Sequence, residues 1–301
     1  MKYSGIGGQA VLEGIMMKNG QDYAVAVRKP DGEIEIKKDR HESFSDKHKW
    51  AKWPFIRGIF AFVDSLALGM STLSWSASFA ETGEEEKNGK KETGLSKAET
   101  TITVIIAVLL AVGVFVVLPT FLSNLLKRWI TSMTLIAVLE GVIRLVIFIG
   151  YVSAISLMKD IRRVYMYHGS EHKCINCIES GLPLTVENVM KSSKEHRRCG
   201  TSFLLIVMLI SIILFIFIRI EYLPLRMLSR LLLIPVVAGI SYEILRINGR
   251  FDNKLTWLIS RPGMWMQALT TREPDEKMAE VAIRAVEAVF DWKKFLEENF
   301  S

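Results

Sequence analysis

Two histidines four residues apart, His168 and His172, with Glu171 between them, are the residues of this chain best suited to chemistry. On a helix, positions i and i+4 point the same way, so both imidazoles can close on one divalent ion. Glu171 then falls on a neighbouring face. The order His-x-x-Glu-His is the reverse of the zinc-protease motif, where the glutamate serves as general base toward a metal-bound water. The bland alternative is a solvated histidine pair on a helix beside a membrane.

The surrounding stretch adds further ligand types. Cys174-x-x-Cys177 follows at once, and His196-x-x-Cys199 comes about 20 residues later. Two metal arrangements compete. In one, His168 and His172 are joined by His196 or Cys199, a coordination position stays open, and Glu171 is the base. In the other, Cys174, Cys177, His196 and Cys199 make a closed structural clip of Cys3His type. A third possibility is that the cysteines are ordinary small buried residues.

Other residues carry weaker signals. Gln9 and Glu13 are polar positions in an otherwise apolar run, and Gly7 and Gly8 permit close backbone approach. Their plain reading is a strand with one solvated face. The sharper one makes Glu13 the remote carboxylate ligand that reversed zinc-protease motifs need, with Gln9 beside it. Lys173, Arg197 and Arg198 could bind an anionic group or could simply anchor the chain at the cytosolic leaflet. Glu140 and Arg144, four apart inside an apolar run, read as a mutual ion pair facing a helix bundle. A proton path extended by Glu243 and Asp64 is the alternative.

These residues are positioned by an unusual framework. Half of the 301 residues are hydrophobic, and they are gathered into blocks. Segments 101–122, 130–158, 201–218 and 231–245 read as four membrane helices arranged in two hairpins. Segment 54–80 is long enough to span but holds Arg57 and Asp64, so an interfacial or re-entrant placement is expected. Residues 1–53 read as a strand-rich unit, with a hairpin turn at Pro30-Asp31-Gly32. A charged linker covers 81–100. The loop 159–200 is rich in Lys and Arg, which places it in the cytosol with both termini. In the C-terminal region 248–301, Met278, Val281, Ala285, Val289, Trp292 and Leu296 mark one amphipathic helix over 275–299. The expected fold is therefore a mainly α, multi-pass membrane protein. It combines about four transmembrane helices with a small cytosolic α/β unit.

The net charge of +6 needs no nucleic acid, because basic residues do not interleave with stacking aromatics. The first 20 residues lack the continuous apolar core of a signal peptide. The three cysteines lie in one basic stretch, which suits a reducing compartment better than a disulfide framework.

Long motifs carry a family resemblance over nearly the whole chain. They are Gly-Gly-Gln-Ala-Val-Leu-Glu-Gly-Ile-Met-Met (7–17), Tyr-His-Gly-Ser-Glu-His-Lys (167–173), Arg-Cys-Gly-Thr-Ser-Phe (198–203) and Pro-Gly-Met-Trp…Thr-Thr-Arg-Glu-Pro (262–274). The chain resembles the DUF1385 family of YqhQ-type bacterial membrane proteins, described as metal-dependent enzymes without an assigned reaction. The resemblance covers His168, Glu171, His172, Lys173, Arg198 and Cys199. It has Ala where Ser170 stands and does not require Cys174, which favours the His-x-x-Glu-His site over the clip. The expected cofactor is zinc or a similar divalent ion. The expected function is hydrolysis by metal-activated water at the cytosolic face of the bacterial cytoplasmic membrane. A scaffold with a structural metal and a small transporter are the alternatives. The sequence specifies no substrate.

Overall fold

The computed structural model describes residues 2–88, 97–218, 220–251 and 253–300. Four strands open the chain: β1 (Ile6–Val11), β2 (Gly14–Asn19), β3 (Asp22–Arg28) and β4 (Ile34–Arg40). They pair antiparallel in the order β1-β2-β3-β4. The expected Pro30-Asp31-Gly32 turn joins β3 to β4, and Gly32 supplies its positive φ of 92°.

Helices follow: α1 (Phe44–Lys47), α2 (Ile56–Asn88), α3 (Lys97–Val112), α4 (Leu118–Leu125), α5 (Met133–Ile155), α6 (Lys159–Glu179), α7 (Val186–Lys191), α8 (Gly200–Phe217), α9 (Leu223–Leu232), α10 (Ile234–Arg250), α11 (Lys254–Thr270), α12 (Glu276–Val289) and α13 (Trp292–Phe300). A π-helical turn over Gly113–Val117 links α3 to α4. Pro119 follows it in the first turn of α4, where the missing proline N–H relaxes the hydrogen-bond ladder.

The sheet is covered on both faces, so its strands read as continuous apolar runs rather than simple alternations. Ile15, Met17 and Ala26 join one core with Tyr167, Ile175 and Ile178 of α6 and Met278, Val281 and Val286 of α12. Val11, Met16, Tyr23, Val25 and Val27 face the other way, onto Leu68, Leu73, Trp75 and Phe79 of α2.

Four helical stretches are long and apolar enough to cross a membrane: Ile56–Phe79, Thr101–Arg128, Met133–Ile155 and Gly200–Phe217. Helices α9 and α10, bent by 40° at their junction, form a candidate fifth. The first of these differs from the rest. Its early part packs on α10, with a Cβ on Gly58 meeting Tyr242 at 2.7 Å, while its later part lies on the sheet.

Several expected boundaries move. The region 159–200, read as a loop, is largely helix, because α6 buries one long stripe against the sheet and α12. The charged stretch read as a linker is helical over 81–88 and 97–100, and 89–96 lie outside the described residues. The short connection that holds Arg226 and Arg230 is helix α9, with both arginines buried. The single amphipathic helix expected over 275–299 is two helices, since Phe290 leaves the helix with an extended backbone at the end of α12. Asp275 caps α12 by accepting the Met278 N–H at 2.8 Å.

Candidate metal centre

Helix α6 carries His168 and His172 one turn apart, with ring centroids 4.4 Å from each other. Cys199, the N-cap of α8, brings its sulfur to the same place. Sγ lies 3.1 Å from His168 Nε2. One ligand atom from each of His168, His172 and Cys199 falls within 4.8 Å of the others. A tetrahedral zinc site needs ligand separations of roughly 3.3–3.6 Å, so adjustments of about an ångström close this set on an ion.

The far sides of both rings are fixed. His168 Nδ1 meets the carbonyl oxygen of Thr270 at 2.9 Å, and His172 Nδ1 meets that of Lys194 at 2.7 Å. A carbonyl can only accept, so each Nδ1 must carry the proton. Each neutral ring then presents a bare Nε2 lone pair. Metal-binding histidines are held in this way, with the outer N–H tied to a carbonyl or carboxylate. The electrostatics favour a shared positive charge in this place. Burial alone would push the Cys199 thiol up, but His168 and His172 outweigh it and bring it well below its usual value. Burial would lower His168, yet the neighbouring Cys199 raises it to about 9. A proton between His168 Nε2 and the thiolate, or a metal ion that displaces it, would supply that charge.

The sequence around the histidines provides the close packing this needs. A Cβ on Gly169 would stand 2.0 Å from the carbonyl oxygen of Arg272, so only glycine lets the 270–272 segment approach α6. Arg272 N–H donates to the Tyr165 carbonyl at 2.9 Å, which sets Thr270 against His168. Ser170 donates its hydroxyl to the Met278 carbonyl at 3.1 Å and so ties α6 to α12. The segment that carries Cys199 is roped to α6 by side chains. Lys173 donates to the carbonyls of Met190 and Ser192, and Asn176 donates to those of Ser193 and Glu195. Gln267 of α11 clamps the His196 backbone from both sides, accepting its N–H at 2.9 Å and donating to its carbonyl at 2.7 Å.

Glu171 is buried beside the cluster, and its carboxylate accepts the Gly8 N–H. Burial raises its pKa, while His168 and His172 pull it back. A Cβ on Gly8 would come within 3.0 Å of the Glu171 carboxyl carbon and 2.5 Å of Met17 Sδ. The first glycine-rich motif therefore lets β1 lie directly on α6. Gln9 points to the other side of the strand, against Gly69 of α2.

Other expected site residues lie apart from the cluster. Glu13 occupies the tight turn between β1 and β2, and Arg163 grips both its oxygens at 2.5 Å. That two-pronged pair directs the carboxylate to Arg163 instead of the histidines. His196 stacks near His172, with centroids 5.6 Å apart, but its Nε2 faces Glu179 at 3.7 Å. Burial lowers its pKa further than Glu179 can restore it. Arg198 is paired with Glu179 and lies over the Tyr3 ring at 4.4 Å, and Lys173 is held by two carbonyls and Glu273. Neither offers a free charge to an anion. Cys174 and Cys177 belong to the apolar core, so the Cys3His clip is not assembled.

Sequence reasoning missed Gln267, Asn176, Thr270 and the role of Gly169. Gln267 carried the clearest signal, as a lone amide within the apolar run Met264–Leu269.

Away from this centre, Glu140 and Arg144 form the expected pair at 3.2 Å, and Arg230 joins them at 3.1 Å. Glu243 is paired with Arg57, and Asp64 faces His41 at 3.9 Å.

A helical bundle with a small antiparallel sheet, and a His2Cys cluster between its parts, is thus the class of protein these features define. The family described as "Protein of unknown function (DUF1385)" matches residues 53–292. The chain is also 36% identical over 302 residues to the uncharacterized protein YqhQ of Bacillus subtilis (strain 168), covering 97% of this chain and 94% of that protein. The chain belongs to the DUF1385 family. No solved structure matches it.

Proposed function

We propose that this chain is a multi-pass protein of the bacterial cytoplasmic membrane that holds a divalent ion, zinc or a close relative, at its cytosolic face and uses it for hydrolysis. One observation carries the reading. Two imidazoles, each with Nδ1 fixed by a backbone carbonyl, turn their Nε2 atoms toward the same buried thiol. His168, His172 and Cys199 would be the ligands. A bound ion would supply Lewis acidity to a water at its open position. Glu171, held by the Gly8 N–H and made more basic by burial, would take the proton.

The membrane placement has its own support. Along Thr101–Arg128, residues such as Ile105, Leu109 and Leu110 are more than half exposed, an apolar surface that suits lipid and not water. The shared core supports one topology. The sheet, α6 and α12 pack together, which favours one side of a bilayer for all three. Two crossings between the sheet and α6, over 101–128 and α5, satisfy this. A third crossing by α2 would separate them, and the packing of its later part on the sheet favours an interfacial course. Basic residues such as Arg162, Arg163 and Lys194 around α6 favour the cytosol for this side and for both termini.

A second reading, a scaffold whose metal only locks α6 to α8, is favoured by burial. His172, Cys199 and Glu171 are 1%, 4% and 6% exposed. Glu171→Gln separates the two. The catalytic reading expects metal and fold to persist while the in vivo role is lost. Retention of that role would leave the structural reading in place. Loss of metal from wild-type protein prepared without chelators would remove both.

A further inference from the structure

Three arginines and one carboxylate meet at the end of the bundle far from the histidine cluster. Arg144 of α5 and Arg226 and Arg230 of α9 are 5%, 2% and 2% exposed, and Glu140 is 1% exposed. The arrangement leaves two positive charges in excess. Arg144 donates to Glu140 and to Ser211, and Arg230 donates to Glu140 while lying over the Phe215 ring at 3.8 Å. Arg226 donates to the Thr120 carbonyl at 3.1 Å and to Asn124 at 3.4 Å, both neutral acceptors. Arg144 Nε, Arg226 Nε and Arg230 Nη1 are buried without a hydrogen-bond partner, and so is the acceptor Glu140 Oε2, which leaves three donors against one carboxylate oxygen. A cavity of about 10 Å³ is lined by Glu140, Phe215, Arg226 and Arg230, and Arg144 lies outside that lining.

We propose that this cluster binds a single small monatomic anion, chloride in the cell, between α5, α8 and α9. Excess buried cationic charge in a low-dielectric bundle needs a counter-ion, and the unsatisfied N–H groups supply the donors for one. Size selects the class. The cavity has room for at most one small particle, so a halide would need the side chains around it to yield slightly, and a phosphate group far exceeds it. Glu140 lies about 10 Å along α5 from Met133, at 1.5 Å per residue, so the site is inside the apolar layer if α5 spans it. The inference uses the membrane placement only for that low dielectric and does not draw on the metal centre.

The test uses the full chain in detergent or nanodiscs, with bromide as a chloride probe. Crystals grown in bromide should give an anomalous peak beside Arg226 and Arg230. The Tm in chloride should exceed that in gluconate at equal ionic strength by about 3 °C or more. Arg226→Gln should abolish the difference with cooperative unfolding retained, and Arg226→Lys stands in if the glutamine variant does not fold. Glu140→Gln, which raises the excess charge, should enlarge the difference. Equal Tm in the two salts, an ordinary water in place of the bromide peak, or a co-purified lipid phosphate lost in Arg226→Gln would each overturn the proposal. Metal content, unaffected in every arm, keeps this result separate from the fate of the histidine site.

Discussion

The Nδ1–H of His172 donates to the carbonyl oxygen of Lys194 at 2.7 Å, and this bond joins helix α6 to the segment that delivers the thiol. Five residues past Lys194 the chain reaches Cys199 and enters α8. The same contact therefore fixes the tautomer of one imidazole of the cluster and the position of its neighbour. The site is a junction between the sheet-bound helix α6 and the apolar helix α8.

Gln267→Leu should expose how far that junction depends on the amide clamp. The variant leaves the His196 N–H and carbonyl unpaired in a buried setting, at a cost of about 1–3 kcal/mol for each group. The expected result is a lower Tm and faster labelling of Cys199 by a thiol reagent in metal-depleted protein. Unchanged labelling would show that the clamp does not hold the thiol.

Gly169→Ala should be more damaging than its size suggests. The added methyl meets the Arg272 carbonyl at 2.0 Å, a backbone atom that cannot step aside alone. Moving it would carry Thr270 away from His168 Nδ1. Overpacking of this kind costs about 1–3 kcal/mol, and loss of an outer-sphere partner weakens metal affinity about 10–100-fold. Differential scanning fluorimetry and a competitive chelator titration would read the two effects, and an unchanged chelator titration would show that Thr270 stays on His168.

Glu13→Gln should leave metal binding intact. The carboxylate is committed to Arg163 on a partly exposed surface, where an ion pair contributes about 0–1 kcal/mol. Metal analysis of the purified variant checks this, and a fall in stoichiometry would return Glu13 to the site.

Acid stability should report on Glu179. Burial would raise its carboxyl, but the neighbouring His196, the hydrogen bonds from Ser4 and the charge of Arg198 hold it down at about 2. A folded-state value below the unfolded one gives stability that is complete above the ordinary carboxylate range near 4.5 and is lost as pH falls from there toward 2. The full effect is roughly 3 kcal/mol. Equilibrium unfolding between pH 6 and 3 should weaken steeply in the native chain and less so in Glu179→Gln. Parallel profiles for the two would mean that the pair with Arg198 gains nothing on folding.

Parts of this account were legible in the residues. The Pro30-Asp31-Gly32 turn, the helical spacing of His168 and His172 and the i, i+4 pair of Glu140 and Arg144 are local, so spacing alone reveals them. What stayed hidden depends on distant chain segments meeting. Arg163 and Glu13 are 150 residues apart, and their pairing decides that Glu13 does not join the cluster. Arg230 reaches Glu140 across 90 residues, which turns an expected pair into a cationic cluster. Gly8 reads from its motif as a point of close backbone approach, and it lets β1 touch α6, whereas nothing local marks Gly169 as the place where the 270–272 segment meets that helix. The ambiguous segment 54–80 is long and apolar enough to span, yet it packs on the bundle at one end and on the sheet at the other, which its composition does not reveal.

X-ray absorption at the metal edge of the purified native chain tests the central claim most directly. The account predicts one sulfur near 2.3 Å and nitrogen or oxygen neighbours near 2.0–2.1 Å, with the sulfur contribution lost in Cys199→Ser. A metal-free protein, or a first shell of oxygen alone that is indifferent to His168, His172 and Cys199, would contradict it.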